Sequence, residues 1–521
     1  MRRRSGPPKS RKVGQVSDSQ VRLYYGNVLE TKIGPEHGIT DAQLDEMERE
    51  TAPLIQWLNA ERQAGRTAYR DLPYRPEIAE SVRRVIDGIE IECENLVVLG
   101  IGGSALGNIA LQTALNPCMY NLDPAQRTGQ GPSRGTGILP VDRSTGILPV
   151  DPDSTQRNRP RLFVFDNVDP AQLASFFDWI GDKLDKTLFN VISKSGRTSE
   201  TAAQFMVVRR MLLDRLGPDA LRRHIVATTD ANKGTLRTIA DEAGMASLVV
   251  PDGVGGRFSV LSAVGLFSAA MCGIDIDDLL AGARAMDDRV KNQDFRRNPA
   301  AVNAAINVHY YRRGKRNSII FPYSHRLKDM ADWYRQLWAE SLGKARGLDG
   351  RNVFIGPTPI NALGTTDQHS QVQLYREGPN DKLFTFLEVK AFDRDLTIGP
   401  APDCAPELGF LAGKRMSTLL NAEKKATEFA MLSDQRPCLT VFFDRVDAHA
   451  VGQFIYLFEV TTSLAGALFK INTYDQPAVE LGKDATFALM GKEGRYTDQL
   501  TYPQWARQID ARMAVKDEYL L

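Results

Sequence analysis

Cysteine is scarce in this chain, and the few present are scattered. Cys93, Cys118, Cys272, Cys404 and Cys438 are the only five in 521 residues. An odd number at wide spacing, with no C-x-x-C and no nearby histidine pattern, excludes a disulfide framework and a zinc site, and predicts reduced thiols in a cytoplasmic protein. Net charge is also nearly absent, with 65 basic against 64 acidic residues. No global field draws the chain to nucleic acid or to an anionic membrane. Long apolar runs are missing too: no uninterrupted stretch approaches 18 residues, so no segment is expected to span a membrane.

The charge that does exist is uneven. Arg2, Arg3, Arg4, Lys9, Arg11 and Lys12 crowd the first twelve positions, and removing those six from the 65 leaves 59 basic residues against 64 acidic ones. The body is mildly acidic behind a basic tail. That tail has no apolar core, and Gly6-Pro7-Pro8 breaks any amphipathic helix, so it is expected to be a disordered, solvated arm and not a targeting peptide.

What the chain has in quantity is alternation. Helical periodicity around Ile39–Ala64 gives way to apolar runs at Asn95–Leu99, Leu162–Phe165, Leu188–Ile192, Ile225–Thr228 and Leu248–Val250, separated by helical stretches. A second series follows at Ser318–Phe321, Leu383–Val389 and Leu439–Phe443. Strands alternating with helices predict parallel sheets, here two doubly wound α/β domains in tandem. The expected boundaries are residues 1–75 for the tail and a helical arm, 76–290 and 291–490 for the two α/β domains, and 491–521 for a C-terminal extension. Between 117 and 161 the pattern breaks. Thr136-Gly-Ile-Leu-Pro-Val-Asp142 recurs nine residues on as Thr145–Asp151. Two copies are too few for a solenoid, so the segment is expected to be a surface insertion leaving the sheet from the face opposite any active site.

Chemistry concentrates at one strand-to-helix turn. Ser193-Lys194-Ser195-Gly196-Arg197-Thr198-Ser199-Glu200 follows the run ending at Ile192 and opens a long helical pattern. A helix start leaves N–H groups unpaired and carries partial positive charge. Hydroxyls, a lysine and a glycine added there suit one small phosphate group. No G-x-x-x-x-G-K-[ST] string occurs, so this is not a nucleotide P-loop. A second glycine turn, Gly100-Ile101-Gly102-Gly103-Ser104-Ala105, ends the first strand. With Asp166 after the next strand it fits a dinucleotide fingerprint, which leaves a nicotinamide dehydrogenase as a competing reading.

Further along stand Gly255-Gly256-Arg257-Phe258-Ser259, Trp338-Ala339-Glu340-Ser341-Leu342-Gly343-Lys344, Thr366-Asp367-Gln368-His369-Ser370-Gln371, and Asp475-Gln476-Pro477-x-Val479-Glu480-x-Gly482-Lys483. In this order, with the Gly100 and Ser193 turns, these motifs resemble the glucose-6-phosphate isomerase family over about residues 95–485. The resemblance implies two sugar-isomerase (SIS) domains and a homodimer whose active sites draw on both subunits. It implies no metal or organic cofactor and a sugar-phosphate substrate, interconverted between glucose 6-phosphate and fructose 6-phosphate in glycolysis and gluconeogenesis.

The family's roles carry over residue by residue. Glu340 matches the base that moves a proton between C2 and C1. His369 and Lys483 match the ring-opening groups, with Glu200 orienting His369. Arg257 stabilises the enediolate. Gly103, Ser104, Ser193, Lys194, Ser195 and Thr198 match or stand in for phosphate and sugar contacts, and Gln476 lines the substrate. Arg197 departs from the small hydroxyl residue that many relatives carry at its position. A non-catalytic sugar-phosphate sensor is the remaining alternative, but it would not need Glu340, His369, Arg257 and Lys483 together.

Overall fold

The computed structural model describes residues 18–127 and 159–521. The basic tail and both copies of the repeat lie outside the described residues. Strands run in chain order as β1 (Val21–Tyr24), β2 (Asn95–Leu99), β3 (Arg161–Phe165), β4 (Thr187–Ile192), β5 (Ile225–Thr229) and β6 (Ala246–Val249), then β7 (Asn317–Pro322), β8 (Lys344–Arg346), β9 (Asn352–Ile355), β10 (Thr358–Asn361), β11 (Lys382–Val389) and β12 (Cys438–Phe443). Residues 1–471 and 472–521 are two compact units; the first holds both large sheets.

The first sheet is wholly parallel, in the order β3-β2-β4-β5-β6. Every residue of β2, β4 and β5 is buried, as expected for strands covered on both faces by crossover helices. Because β3 lies on one side of β2 and β4 on the other, the chain reverses its winding direction between β2 and β4. In open α/β sheets such a reversal leaves a crevice at the strands' carboxyl ends, the place where ligands bind. The Gly100 and Ser193 turns leave those two strands.

The described flank of the insertion is tied to the start of β3, where the Leu162 N–H donates to Asn121 Oδ1 (2.9 Å) and Asn121 Nδ2 to the Leu162 carbonyl (2.7 Å).

The second sheet, β1-β12-β11-β7-β10, repeats this winding in its four parallel strands. Its fifth strand, β1, precedes the helix Asp41–Gln63 of the N-terminal arm and adds antiparallel to β12.

One helix, Ala448–Leu468, is long and apolar enough by length and composition to cross a membrane, yet 94% of its most apolar window is buried inside the protein. It is a core helix. Its hydroxyls bond back to the preceding turn, Thr461 to the Leu457 carbonyl and Thr462 to that of Phe458, both at 2.7 Å, which removes the cost of burying them. Glu459 on the same helix is fully buried, and neither carboxyl oxygen has a hydrogen-bond partner. Burial pushes its pKa well above the ordinary value, favouring the neutral acid. All five cysteines are free thiols.

Candidate active site

Three segments distant in sequence meet beside β2. The turn Gly102–Ser104 abuts the turn Gly256–Phe258 so closely that a Cβ on Gly103 would lie 2.2 Å from the Gly256 carbonyl carbon and 2.7 Å from the Arg257 nitrogen. Only glycine permits that approach. A Cβ on Gly102 would lie 2.8 Å from Gln336 Nε2 on the helix Lys328–Leu342. The room that these glycines could offer to a pyrophosphate is thus filled by the protein's own backbone and by Gln336, which removes the main support for the dinucleotide reading.

The helix Lys328–Leu342 leaves β7 and ends at Gly343. Met330, Trp333, Tyr334, Leu337, Trp338 and Leu342 repeat at helical spacing and are buried, with the Tyr334 and Trp338 rings stacked at 5.4 Å. Gln336 and Glu340, four residues apart, fall on its flank, where i,i+4 side chains meet. Gln336 Nε2 donates to Glu340 Oε1 at 3.0 Å. Arg257 Nη1 donates to Glu340 Oε2 at 3.1 Å, and Arg257 Nε to Ser341 Oγ at 2.7 Å.

Each carboxylate oxygen therefore has one donor and a lone pair left over. The guanidinium side chain is 2% exposed and the carboxylate 34%, so the cation is locked in place while the base faces outward. This arrangement can take a proton from a bound carbon acid and stabilise the oxygens that become negative as it leaves.

The Ser193 loop lies on the neighbouring strand. Gly196 has φ +68, and a Cβ there would lie 2.2 Å from the Leu236 nitrogen. The Gly196 N–H donates to Ser193 Oγ (3.1 Å) and the Arg197 N–H to Ser195 Oγ (3.2 Å). The Ser195 hydroxyl accepts from the backbone and keeps its own proton available to an anion, while Ser193 Oγ donates across the loop to Thr198 Oγ1 at 3.5 Å, a long bond that a bound anion could replace. Thr198 is the N-cap residue of the helix Ser199–Leu216. Lys194 Nζ donates to the Pro251 carbonyl (3.2 Å) and pairs with Asp252 (3.8 Å), in the segment that leads on to Arg257. Glu200 stands in the first turn of the same helix.

His369 is elsewhere. It ends the short turn Thr366–His369 beyond β10, exposed, and no hydrogen bond or ion pair among the described residues joins it to Glu200. Its turn is pinned by Asp367, which accepts from the Leu363 N–H (2.6 Å) and the Ser370 hydroxyl. Burial would raise the pKa of Asp367, but these donors hold it below the ordinary value. Gln371 reaches the Asn361 carbonyl, and Asn361 Nδ2 reaches Asp332 at 2.6 Å. Asp332 precedes Glu340 by eight residues, or about 12 Å of helix.

Gln476 and Lys483 belong to the C-terminal unit, in which Lys483 Nζ pairs with Glu480 at 2.7 Å. Within the first unit, then, the fold gathers Gly103, Arg257 and Glu340 in direct contact and puts the Ser193 loop on the adjoining strand. Gln336 was missed from sequence, although its four-residue spacing from Glu340 was the available signal.

Comparison with known proteins settles the family. The family model for phosphoglucose isomerase matches residues 150–495. The chain belongs to the phosphoglucose isomerase family. A glucose-6-phosphate isomerase of Carboxydothermus hydrogenoformans is 41% identical over 477 residues, covering 91% of this chain and 95% of the relative. One from Rubrobacter xylanophilus is 38% identical, covering 91% and 99%. Among solved structures, a hypothetical protein of Thermus thermophilus aligns with TM-score 0.73 and 31% identity over 91% of this phosphoglucose isomerase family member and all of that chain. A glucose-6-phosphate isomerase of Chlamydia trachomatis shares the fold at TM-score 0.69 and 22% identity, covering 90% of this chain and 88% of its own.

Proposed function

We propose that this chain is a glucose-6-phosphate isomerase, interconverting glucose 6-phosphate and fructose 6-phosphate through an open-chain sugar and a cis-enediolate. The observation that carries this reading is the carboxylate of Glu340, held by Arg257 and Gln336 beside the glycine turn that ends β2.

The phosphate sits at the Ser193 loop, with Ser104, Ser193, Ser195 and Thr198 donating hydroxyl protons and the start of the helix Ser199–Leu216 contributing its dipole. Binding there, remote from the reacting carbons, holds the open chain in a reactive pose. Glu340 removes the proton from C2 of the aldose, electrons shift to form the C1–C2 double bond and leave the C1 oxygen negative, the hydroxyl proton passes from O2 to O1, and the same carboxyl returns its proton to C1 as the C2 carbonyl forms. No net oxidation occurs, because C1 is reduced as C2 is oxidised. Arg257 cannot deprotonate, so it stabilises the enediolate oxygens without competing for the proton. His369 and Lys483 open the ring, Glu200 orients His369, and Gln476 lines the substrate.

Gln371, two residues after His369, is tied through Asn361 to Asp332, eight residues before Glu340 on the helix Lys328–Leu342, and we take this separation as support for a homodimer in which a second copy supplies the histidine. The reading also places the enzyme in the cytoplasm, acting on a sugar phosphate and on neither nucleic acid nor membrane. The test is an assay with fructose 6-phosphate as the only substrate and glucose 6-phosphate followed by a coupled dehydrogenase. Rapid product formation is expected; fructose 6-phosphate that binds without turning over would make the protein a sensor.

A further inference from the structure

We propose that Arg197, rather than Lys194, is the cation of this chain that grips the substrate's phosphate. The inference rests on the isomerase reading and refines its phosphate site.

The two cations of the Ser193 loop differ in what already holds them. The Lys194 ammonium is drawn toward the segment after β6, by the Pro251 carbonyl at 3.2 Å and Asp252 at 3.8 Å. Arg197 is exposed, and its side chain makes no ion pair or hydrogen bond among the described residues. Of the carboxylates around the loop, Asp252 is held by Lys194 and Asp230 by the N–H groups of Asn232 (3.0 Å) and Lys233 (3.1 Å), while Glu200, in the first turn of the following helix, makes no ion pair with Arg197 among the described residues. Arg197 is therefore left without a counter-ion inside a loop otherwise arranged to donate to an anion.

Its backbone is nonetheless fixed. The Arg197 N–H is bound to Ser195 Oγ, the Ser195 carbonyl accepts from the Thr235 N–H at 3.3 Å, and Gly196 is wedged against Leu236. A guanidinium planted there costs little ordering of the main chain and offers two parallel donors to phosphate oxygens, which an ammonium cannot match.

Measuring KM for fructose 6-phosphate and the inhibition constant of inorganic phosphate in Arg197→Thr, Arg197→Lys and Lys194→Ala tests this. Arg197→Thr is expected to raise both constants by about tenfold, more than it lowers kcat, because the lost contact is made equally in ground and transition states. The increase should shrink at high salt, which a structural defect would not do. Arg197→Lys should recover part of the loss, and Lys194→Ala should move both constants less than Arg197→Thr does.

Unchanged constants in Arg197→Thr, or a larger effect from Lys194→Ala, would overturn the assignment. Calorimetric titration of inorganic phosphate into the same variants decides the point without turnover. Failure of the unaltered protein to isomerise would thus count against the isomerase reading and leave the Arg197 comparison standing.

Discussion

Two groups of functional residues in this protein are held in very different ways. Arg257, Gln336, Glu340 and Ser341 form a closed hydrogen-bonded corner beneath the glycine turn at Gly103. His369 sits exposed on a short turn, and among the described residues Lys483 pairs with its neighbour Glu480 across one helical turn. On the proposed mechanism the difference follows the chemistry assigned to each group. Moving a proton between adjacent carbons tolerates little error in position, which a rigid corner within one chain supplies; ring opening acts on an atom farther along the sugar, and its proposed groups can be brought in by another surface.

The largest break in this contrast should come from Glu340→Gln. It keeps a side-chain oxygen for Arg257 but removes the base, so kcat is expected to fall by about 10²–10⁴-fold with substrate affinity nearly intact. A variant that kept near-normal turnover in the coupled assay would remove Glu340 from the mechanism. Arg257→Ala should lower kcat by roughly 10²-fold through loss of charge stabilisation, and should also lower the thermal midpoint, because Ser341 loses its buried donor. Preserved turnover would show that the guanidinium is only structural.

His369→Ala is expected to cost about tenfold or more in kcat. It also sharpens the comparison when mixed with Glu340→Gln. If each site takes its carboxylate from one subunit and its histidine from the other, exchanged subunits regain about a quarter of full activity, since half the dimers carry one intact site. No recovery would place both groups in one chain. Gly103→Ala should then cost about tenfold in kcat, because the added methyl must push the Gly256–Arg257 backbone away. Stability of that variant, followed by urea unfolding, should fall by about 1–3 kcal/mol.

The smallest expected effect on catalysis lies behind the rigid corner. Tyr69 packs on Phe258, next to Arg257, at a ring distance of 4.7 Å. The following residue, Arg70, is buried and pairs with Asp287 at 3.1 Å. Burial alone would raise the pKa of Asp287, but hydrogen bonds from Tyr456 and Arg62 hold it below its ordinary value of 3.8. A carboxyl whose folded pKa is depressed contributes stability fully above the unfolded value and loses it as pH falls through the folded one. Asp287→Asn should therefore destabilise the protein at pH 7 by about 3 kcal/mol with kcat little changed. Below about pH 4 the gap between variant and unaltered protein in urea midpoint should narrow. A gap that stayed constant down to pH 2 would contradict this account.

The interior strands were legible because a strand buried on both faces is a short, predominantly apolar run, and β2, β4, β5, β7, β11 and β12 all are, with only a few polar residues such as Asn190, Thr385 and Thr440 among them. The first sheet's edge strands, β3 and β6, were legible too, as the runs Leu162–Phe165 and Leu248–Val250, whereas those of the second sheet, β1 and β10, escaped. β1 is four residues long, and its partner β12 lies more than 400 residues away, while β10 contains Pro359, which argues against a strand unless the strand is at an edge. The helix Ala448–Leu468 hid its apolar character behind Thr461, Thr462 and Ser463, whose hydroxyls are satisfied within the helix itself.

The same division runs through the site. The glycine turns, the hydroxyl-rich helix start and the four-residue step from Gln336 to Glu340 are local, set by φ angles, caps and helical pitch, and the sequence alone determined them. That Arg257 meets a carboxylate 83 residues further on was decided by tertiary structure. So was the setting of Glu340 beside the first sheet's glycine turn, at the far end of a helix leaving the second sheet. Neither could be read locally, because each depends on how two sheets pack through one helix, and packing is a property of surfaces that exist only once the chain has folded.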